Sequence, residues 1–260
     1  MPLDGRFDAE PPMTSALAQQ ARAMTIDGVP VGSLGFVLVG ADLGAAEPAT
    51  SMSDVPGRAG GVDLTLEDEC GCAFQGRRSC TFSLRTFSPA HRRAACKLAL
   101  GALAGKEADV FYRPLGLTLR GRIAVGAWDD GNGWADVDLT LSADPIMLGK
   151  AAKVALAKGD NVITVGGNAP CPIALDLSPT GLAWVRVILD GGKFVRVQPA
   201  ASFGAGAALA IDSESMTCAL NESSIAPTLD SDWIVAAPGR HVLTLSGGTG
   251  TASFTERWKM

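Results

Sequence analysis

The chain has 260 residues, of which 47% are hydrophobic and 19% are charged, and its formal net charge is −5. This high hydrophobic fraction excludes an intrinsically disordered chain, and the lack of a basic excess argues against a nucleic-acid-binding protein. The length exceeds that of one usual domain and fits two domains of ordinary size.

The beginning of the sequence carries charges and prolines but no apolar segment, so we expect no signal peptide. The longest apolar stretches, such as Leu34–Val39, are far too short to span a membrane. We therefore expect the chain to fold in a cytoplasm and its cysteines to be free thiols. These cysteines are Cys70, Cys72, Cys80, Cys96, Cys171 and Cys218.

The first part of the sequence predicts short strands and one helix, preceded by a loose arm or short helix over residues 1 to about 20. Ser88 is a favourable N-cap, and Pro89 suits the first turn of a helix that ends at Gly101 or Gly105. The strands predicted around this helix are Met24–Ile26, Val31–Val39, Val62–Leu66, Ser79–Arg85, Ala108–Tyr112, Leu115–Val125 and one that runs through Leu141.

After a domain boundary placed near residue 150, the sequence shows little sign of helix. Asp190-Gly-Gly is a strong hairpin signal between the predicted strands Leu182–Leu189 and Lys193–Val197. Short strands with frequent turns are typical of a β-sandwich or a jelly roll. The sequence thus predicts a mainly β protein with an α+β domain over 1–150 and a β-sandwich over 151–260.

Several short motifs follow one another in an order that resembles one family. They are residues 53–64 (SDVPGRAGGVDL), 77–84 (RRSCTFSL), 109–113 (DVFYR), 119–122 (LRGR), 143–145 (ADP), 167–170 (GNAP), 210–213 (AIDS), 233–239 (WIVAAPG) and 254–258 (FTERW). Their order and spacing are similar to those of siphophage distal tail proteins, and they cover most of the chain from about residue 24.

The resemblance implies a structural protein of a phage or prophage tail tip, with a ring-forming first domain and a galectin-like second domain. Such proteins form homohexameric rings below the tail tube protein. They connect it to a tail-associated lysin or tail-fibre protein, and in many phages they also dock a receptor-binding protein. From the residues we expect no catalytic residue, no cofactor and no metal, and neither a membrane nor a specific nucleic acid as partner.

The residues themselves give little support to an enzyme. The only histidines, His91 and His241, lie in different predicted domains, and no nucleophile elbow, P-loop or metalloprotease motif is present. Cys70, Cys72 and Cys80 could hold zinc, but their spacing favours packing as small hydrophobic residues. Residues 129–133 (DDGNG) lack the ligand pattern of a calcium loop and predict a hairpin turn.

The stretch from Cys70 to Lys106 contains seven basic residues and no acidic residue. It could face an acidic partner or passing DNA, or its arginines could pair with the acidic residues 67–69. For the assembly surface we select the loop residues Asp54, Val55, Pro56, Gly57 and Arg58, and the basic helix residues Arg92, Arg93 and Lys97.

Two other functions remain open from the sequence. The first is a carbohydrate-binding or receptor-binding module that recognises host-surface glycans, although Trp184 lies in an apolar stretch and is expected to be buried. The second is a glycoside-cleaving or peptidoglycan-cleaving enzyme, which would require two acidic side chains that converge in a cleft.

Overall fold

The computed structural model describes residues 15–54, 56–57, 60–67, 73–86 and 90–260. The chain divides into two units, Met1–Met147 with Met260 and Leu148–Lys259. The division lies inside one long strand, and the predicted boundary near residue 150 falls in the same strand. The mostly β fold predicted from the sequence is confirmed.

The first unit combines one antiparallel sheet with two helices. Its elements are α1 (Ser15–Ala21), β1 (Met24–Ile26), β2 (Val29–Pro30), a 3-10 helix (Val31–Leu34), β3 (Val37–Asp42), β4 (Met52–Ser53), β5 (Val62–Asp63), β6 (Arg78–Thr86), α2 (Ala90–Gly101), β7 (Glu107–Tyr112), β8 (Leu117–Asp130) and β9 (Ala135–Ala143). The strand order is β3-β6-β9-β8-β7-β1-β2, whereas β4 and β5 pair only with each other.

Strands β6 and β9 form the centre of this sheet. Cys80, Phe82 and Leu84 are buried on one face of β6 and pair with Leu141, Leu139 and Val137 of β9, which are also buried. Alternate residues on both strands are less buried, as expected for strands with one face in the core. The alternation in the sequence therefore predicts this part of the fold correctly.

The predicted strand Val31–Val39 is wrong in its first half. Val31–Leu34 forms a 3-10 helix, and Gly35 ends it in the left-handed conformation, with φ of 84°. The Gly35 N–H donates to the carbonyl of Gly32, which closes the turn before β3 begins. A run of apolar residues does not distinguish a short helical turn from a strand, because both can be buried.

Helix α2 is present where the sequence predicts it and ends at Gly101. The predicted N-cap Ser88 and the proline at 89 lie outside the described residues. Cys96 and Leu100 are buried beneath the helix. The helix therefore contacts the core of the first unit through these two side chains.

The second unit contains only strands among its regular elements. They are β10 (Met147–Val165, which begins at the last residue of the first unit), β11 (Cys171–Pro172), β12 (Ala174–Ser178), β13 (Val185–Leu189), β14 (Phe194–Val197), β15 (Leu209–Asp212), β16 (Thr217–Leu220), β17 (Ser223–Ser224), β18 (Val235–Ala236) and β19 (Gly239–Trp258). The sequence predicts two short strands, Lys153–Ala157 and Val162–Val165, where the single strand β10 runs.

Strand β19 joins two layers of the second unit. Its first part pairs with β13, and β13 pairs with β14. Its second part pairs with β12, and the order continues through β15, β16 and β17. Between the two parts, Gly248 has a φ of 80°, and a Cβ atom there would lie 2.6 Å from the carbonyl oxygen of Ser178. This bend lets one strand serve two sheets of a sandwich.

Candidate assembly surface

The segment around β4 and β5, residues 45–67, has no buried residue among those that the structure describes. We call it the β4–β5 arm. Met52 pairs with Asp63 and Ser53 with Val62, and the Leu64 N–H donates to the carbonyl of Ser51 over 2.7 Å. The arm is therefore hydrogen-bonded to itself, while its side chains are largely in solvent.

Large hydrophobic side chains are exposed on this arm. Leu66 is 75% exposed, and Met52 and Leu64 are also more than half exposed. The sequence alternation of Val62, Leu64 and Leu66 predicts a strand with one buried face. That prediction is wrong for the isolated chain, because the regular strand ends at Asp63 and the following leucines are not covered by their own unit.

The described residues of the selected loop, Asp54, Pro56 and Gly57, lie between β4 and β5 in the β4–β5 arm. Asp54, Pro56 and Gly57 are exposed, and Gly57 has a φ of 84°, which agrees with the predicted turn. Val55 and Arg58 lie outside the described residues. The described part of the loop is thus accessible to another molecule.

Two of the selected helix residues, Arg93 and Lys97, contact the end of β8 and the turn that follows it. The Arg93 guanidinium donates to the carbonyl oxygens of Trp134, over 2.9 Å, and of Gly131, over 3.2 Å. The Lys97 ammonium contacts the carboxylate of Asp130. These two side chains hold α2 against its own unit. Arg92 is half-buried.

Other arginines of the basic stretch also have partners within the first unit. Arg85 forms a bidentate pair with Asp136, with both distances 2.6 Å, and Arg77 lies 3.5 Å from Asp144. The partners expected from the sequence were the acidic residues 67–69, and residues 68 and 69 lie outside the described ranges. The described pairs instead use aspartates on and after β9.

Arg78 is 1% exposed. Its Nη2 donates to the carbonyl of Met260 over 2.8 Å, and its Nη1 lies 3.7 Å from the sulfur of Met147. Among the described residues, no carboxylate pairs with this guanidinium. Sequence reasoning grouped Arg78 with the surface arginines, although the burial of its neighbour Cys80 on the same strand face indicates an inward position.

His241, the histidine of the second unit, is engaged at both ring nitrogens. Nδ1 lies 2.6 Å from Asp190 Oδ2, and Nε2 lies 2.6 Å from the Ala237 carbonyl oxygen. Burial favours the neutral ring, but the two hydrogen bonds outweigh it and raise the pKa of His241. The hydrogen bond from His241 lowers the pKa of Asp190. This pair fastens the β13–β14 hairpin to the start of β19.

A broad groove of about 1110 Å³ crosses one face of the second unit. Small side chains dominate its lining, together with the carboxylates of Asp176 and Glu222, and the lining contains no aromatic residue. A neutral sugar site normally combines aromatic surfaces with a few polar groups. Trp184, which the sequence predicts to be buried, is instead 40% exposed and lies elsewhere, against Arg196.

The described residues give no support to a metal centre or a membrane-spanning helix. No group of three His, Cys, Asp or Glu side chains in the described ranges is arranged to hold a metal ion. Cys70 and Cys72 lie outside those ranges, whereas Cys80 is a buried free thiol. None of the described helices has the length and hydrophobicity needed to cross a bilayer.

Comparison with known proteins finds a family match for the second unit and a match of fold for most of the chain. Residues 166–258 match the family model of the siphovirus-type tail component, C-terminal domain. The crystal structure of the Dit protein of phage SPP1 aligns with a TM-score of 0.72 and 19% identity, over 90% of this chain and 98% of that chain. That protein is described as a paradigm of the hub adsorption apparatus in phages that infect Gram-positive bacteria.

Two structures of the phage p2 baseplate, in its activated conformation, give weaker alignments. The calcium form has a TM-score of 0.42 and 10% identity, over 89% of this chain and 93% of that chain. The strontium form has a TM-score of 0.41 and 11% identity, over 86% and 92%. Comparison with curated protein sequences gives no significant match.

The family match and the shared fold agree with the resemblance carried by the sequence motifs. The family model covers the β-sandwich from just after β10 to the end of β19. The SPP1 Dit alignment extends the similarity of fold into the first unit. The resemblance to siphophage distal tail proteins is therefore confirmed at this level: residues 166–258 match the model of the siphovirus-type tail component, C-terminal domain, and the chain has the fold of SPP1 Dit.

Proposed function

We propose that this chain is the structural distal tail protein of a siphophage, and that six copies form a hub ring at the tail tip. The ring would connect the tail tube protein to a tail-associated lysin or tail-fibre protein, and a receptor-binding protein would dock on it. The family match supports a tail component, and the description of SPP1 Dit as a hub supports this position in the virion.

The observation that carries the proposal is the exposed apolar surface of the β4–β5 arm. Soluble monomers rarely keep several large hydrophobic side chains together in solvent, and such surfaces mark sites of association. Leu64 and Leu66 show strand alternation but lack a covering layer in their own unit. A second copy that covers them would supply the burial that the alternation predicts.

When one surface of each copy contacts a different surface of the next copy, the same contact repeats around an axis. A ring forms if the rotation from one copy to the next adds up to a full turn. The first unit also has a strand at each edge of its sheet, β3 and β2, and edge strands offer unpaired backbone groups to a neighbour. The β4–β5 arm of one copy and a sheet edge of the next would form such a contact. Such a contact, repeated between six copies, would close the ring that we assign to the first unit.

We also propose that the protein is not an enzyme and works in the tail tip of the virion after it folds in the host cytoplasm. Both ring nitrogens of His241 are engaged by Asp190 and the Ala237 carbonyl, so this histidine is not poised to activate a nucleophile. The galectin-like character of the second unit is part of this proposal. Its role would be to decorate the outside of the ring.

Sedimentation equilibrium of matched variants tests the assembly surface. Leu66→Asp and Met52→Asp place a charge on exposed positions of the arm, so each should change the stability of the monomer by no more than about 0.5 kcal/mol. Both should abolish the assembled species, because a desolvated charge at an apolar contact is costly. Leu229→Asp, at a fully exposed position of the second unit, is the control and should assemble as the wild type does.

The proposal fails if both arm variants assemble as the wild type and the control variant do. It also fails if only the control loses assembly, since the second unit would then supply the contact. Circular dichroism and urea unfolding of each variant distinguish a lost contact from a lost fold.

A further inference from the structure

Three of the chain's four asparagines have side chains held by hydrogen bonds of 2.6 to 3.2 Å. Asn161 bonds to the backbone of residues 157, 159 and 243, Asn168 to that of residue 259, and Asn221 to that of residue 208. The fourth, Asn132, is exposed, and its side chain makes no hydrogen bond with another described residue. Asn132 is also the one asparagine in the sequence that precedes a glycine.

Asn132 and Gly133 form the tip of the hairpin between β8 and β9. The Gly131 N–H donates to the Trp134 carbonyl over 3.0 Å and closes the turn around them. Gly133 is exposed with a φ of 92°, and a Cβ atom there would have no neighbour within 4 Å. Asn-Gly is a favoured pair for such a tip, because glycine accepts positive φ at no steric cost.

The Gly133 N–H is the group that can react with the Asn132 side chain. Among the described backbone hydrogen bonds, none has this N–H as its donor. Glycine also lacks a side chain that would shield the nitrogen. A side-chain amide and a backbone N–H thus follow each other in the chain at an exposed tip, and no other described group holds either of them.

We propose that Asn132 is a site of spontaneous deamidation. The Gly133 nitrogen attacks Cγ of Asn132, a bond forms between them, and Nδ2 leaves as ammonia with the proton of the Gly133 N–H. A water molecule then opens the resulting succinimide ring. Opening at Cγ gives aspartate, whereas opening at the main-chain carbonyl carbon gives isoaspartate. In sum, one amide and one water become one carboxylate and one ammonium ion.

Isoaspartate at this position lengthens the backbone of the turn by one carbon atom. The carbonyls that flank the tip, those of Gly131 and Trp134, accept the hydrogen bonds of Arg93 from α2 over 3.2 and 2.9 Å. A longer segment between these two acceptors changes their separation, and a guanidinium of fixed shape then loses hydrogen-bond geometry. The modification should therefore loosen the attachment of α2 to its own unit.

The reaction consumes only this chain and water. Its detection requires neither a ring nor another tail protein, so the proposal stands or fails separately from the proposed function. The modified chain carries one more negative charge, next to a turn that already follows Asp129 and Asp130.

Peptide mapping of the purified full chain, before and after incubation in mildly alkaline buffer, tests the proposal. Trypsin releases residues 123–150 with Asn132 as their one asparagine, and the other three asparagines lie in different peptides. We expect peptide 123–150 to gain about 1 Da and to separate into aspartate and isoaspartate forms. Electron-transfer fragmentation distinguishes the two forms. The peptides with the other asparagines should keep their masses over the same interval.

Asn132→Gln is the matched control. Its side chain is longer by one methylene, so attack would form a larger and less favourable ring, and the peptide should keep its mass. Asn132→Asp adds the charge without the extra backbone atom, which separates the two effects of the modification.

Thermal unfolding of the incubated protein measures the effect on α2. After conversion, the wild type should unfold about 2 °C or more below the fresh protein, whereas incubated Asn132→Gln should not change. Asn132→Asp should lower the unfolding temperature less than isoaspartate does, because the spacing of the turn's carbonyls is kept.

A synthetic peptide of residues 123–150 shows the reactivity of the segment without the fold. The proposal is overturned if the folded chain keeps Asn132 intact over an interval in which the synthetic peptide deamidates. It is also overturned if the other asparagines of the folded chain convert as fast as Asn132. Conversion with no change in unfolding temperature would refute the loosening of α2.

Discussion

The Lys97 ammonium lies 2.5 and 2.7 Å from the two carboxylate oxygens of Asp130. It also lies 5.1 Å from the centroid of the Trp128 ring. The contact joins helix α2 to the end of β8, and Arg93 supports it from the preceding turn of the helix through the carbonyls of Gly131 and Trp134. Arg93 and Lys97 of α2 therefore fasten the helix to its own unit.

Lys97→Gln should lower the free energy of unfolding of the first unit by about 1 kcal/mol, through loss of the ion pair and the ring contact. Lys106→Gln, at an exposed position, is the control and should have a smaller effect. Urea unfolding followed by tryptophan fluorescence measures both. A loss for Lys97→Gln no larger than that of the control would show that the contact does not stabilise the helix.

Arg78→Ala should destabilise the first unit by about 3 kcal/mol or more, because it leaves a cavity and removes the donor to the Met260 carbonyl. The neighbouring Arg77 is exposed and has only the long contact to Asp144, so Arg77→Ala should cost less than about 0.5 kcal/mol. Thermal and urea unfolding of the two variants provide the comparison. Equal costs would contradict the inward position of Arg78.

The His241–Asp190 pair predicts a pH dependence of the second unit's stability. The pKa of His241 is raised above 6.5, so the folded state holds the proton more tightly than the unfolded chain does. The stabilisation is complete below pH 6.5 and is lost as the pH rises through the raised pKa. The pKa of Asp190 is lowered from 3.8, so its contribution is present above that pH and is lost as the pH falls through the lowered value. Stability should be greatest between the two ranges.

Titration of the imidazole C–H resonances by NMR measures this pair directly. His241 should titrate above pH 6.5, and Asp190→Asn should move its midpoint down, because the carboxylate that favours the imidazolium is gone. Replacement of the other histidine, in His91→Asn, assigns the two resonances and should leave the His241 midpoint unchanged. A His241 midpoint below 6.5 would refute the prediction.

Cys218 should be chemically inert in the folded protein. Burial raises the pKa of its thiol to about 11, and burial also raises the pKa values of Cys80 and Cys171. At pH 8, iodoacetamide should modify Cys218 about 100-fold or more slowly than an exposed thiol introduced by Ser224→Cys, since the thiolate is the reactive form. Peptide mapping by mass spectrometry, before and after unfolding in urea, gives the rates. Rapid modification of native Cys218 would contradict its burial.

The sequence predicts the strands with one buried face well, because alternation along β6 and β9 reports the side of the sheet that faces the core. It fails at Val31–Leu34, where the buried residues Val31 and Leu34 are three positions apart in a helical turn that Gly35 ends. It also divides β10 into two strands, since alternation is weak where much of a long strand is exposed.

The candidate surfaces were harder to predict for a physical reason. Alternation in Val62–Leu66 shows which residues are apolar, but not whether the same chain or a second copy covers them. Trp184 was expected to be buried because its neighbours are apolar, whereas it lies just before β13, where Arg196 covers one side of its ring. Contacts across strands depend on the register of one strand against its neighbour, and short motifs do not encode this register. They do not encode contacts between copies either.

The central claim is the closed ring, and imaging combined with mass measurement tests it most directly. Six copies of a 26.7 kDa chain have a mass of about 160 kDa. We expect light scattering to give this mass at micromolar concentration, and negative-stain class averages to show a sixfold ring with a central hole. A species of 26.7 kDa at every concentration, with no ring in the images even when the tail tube protein is added, would contradict the account.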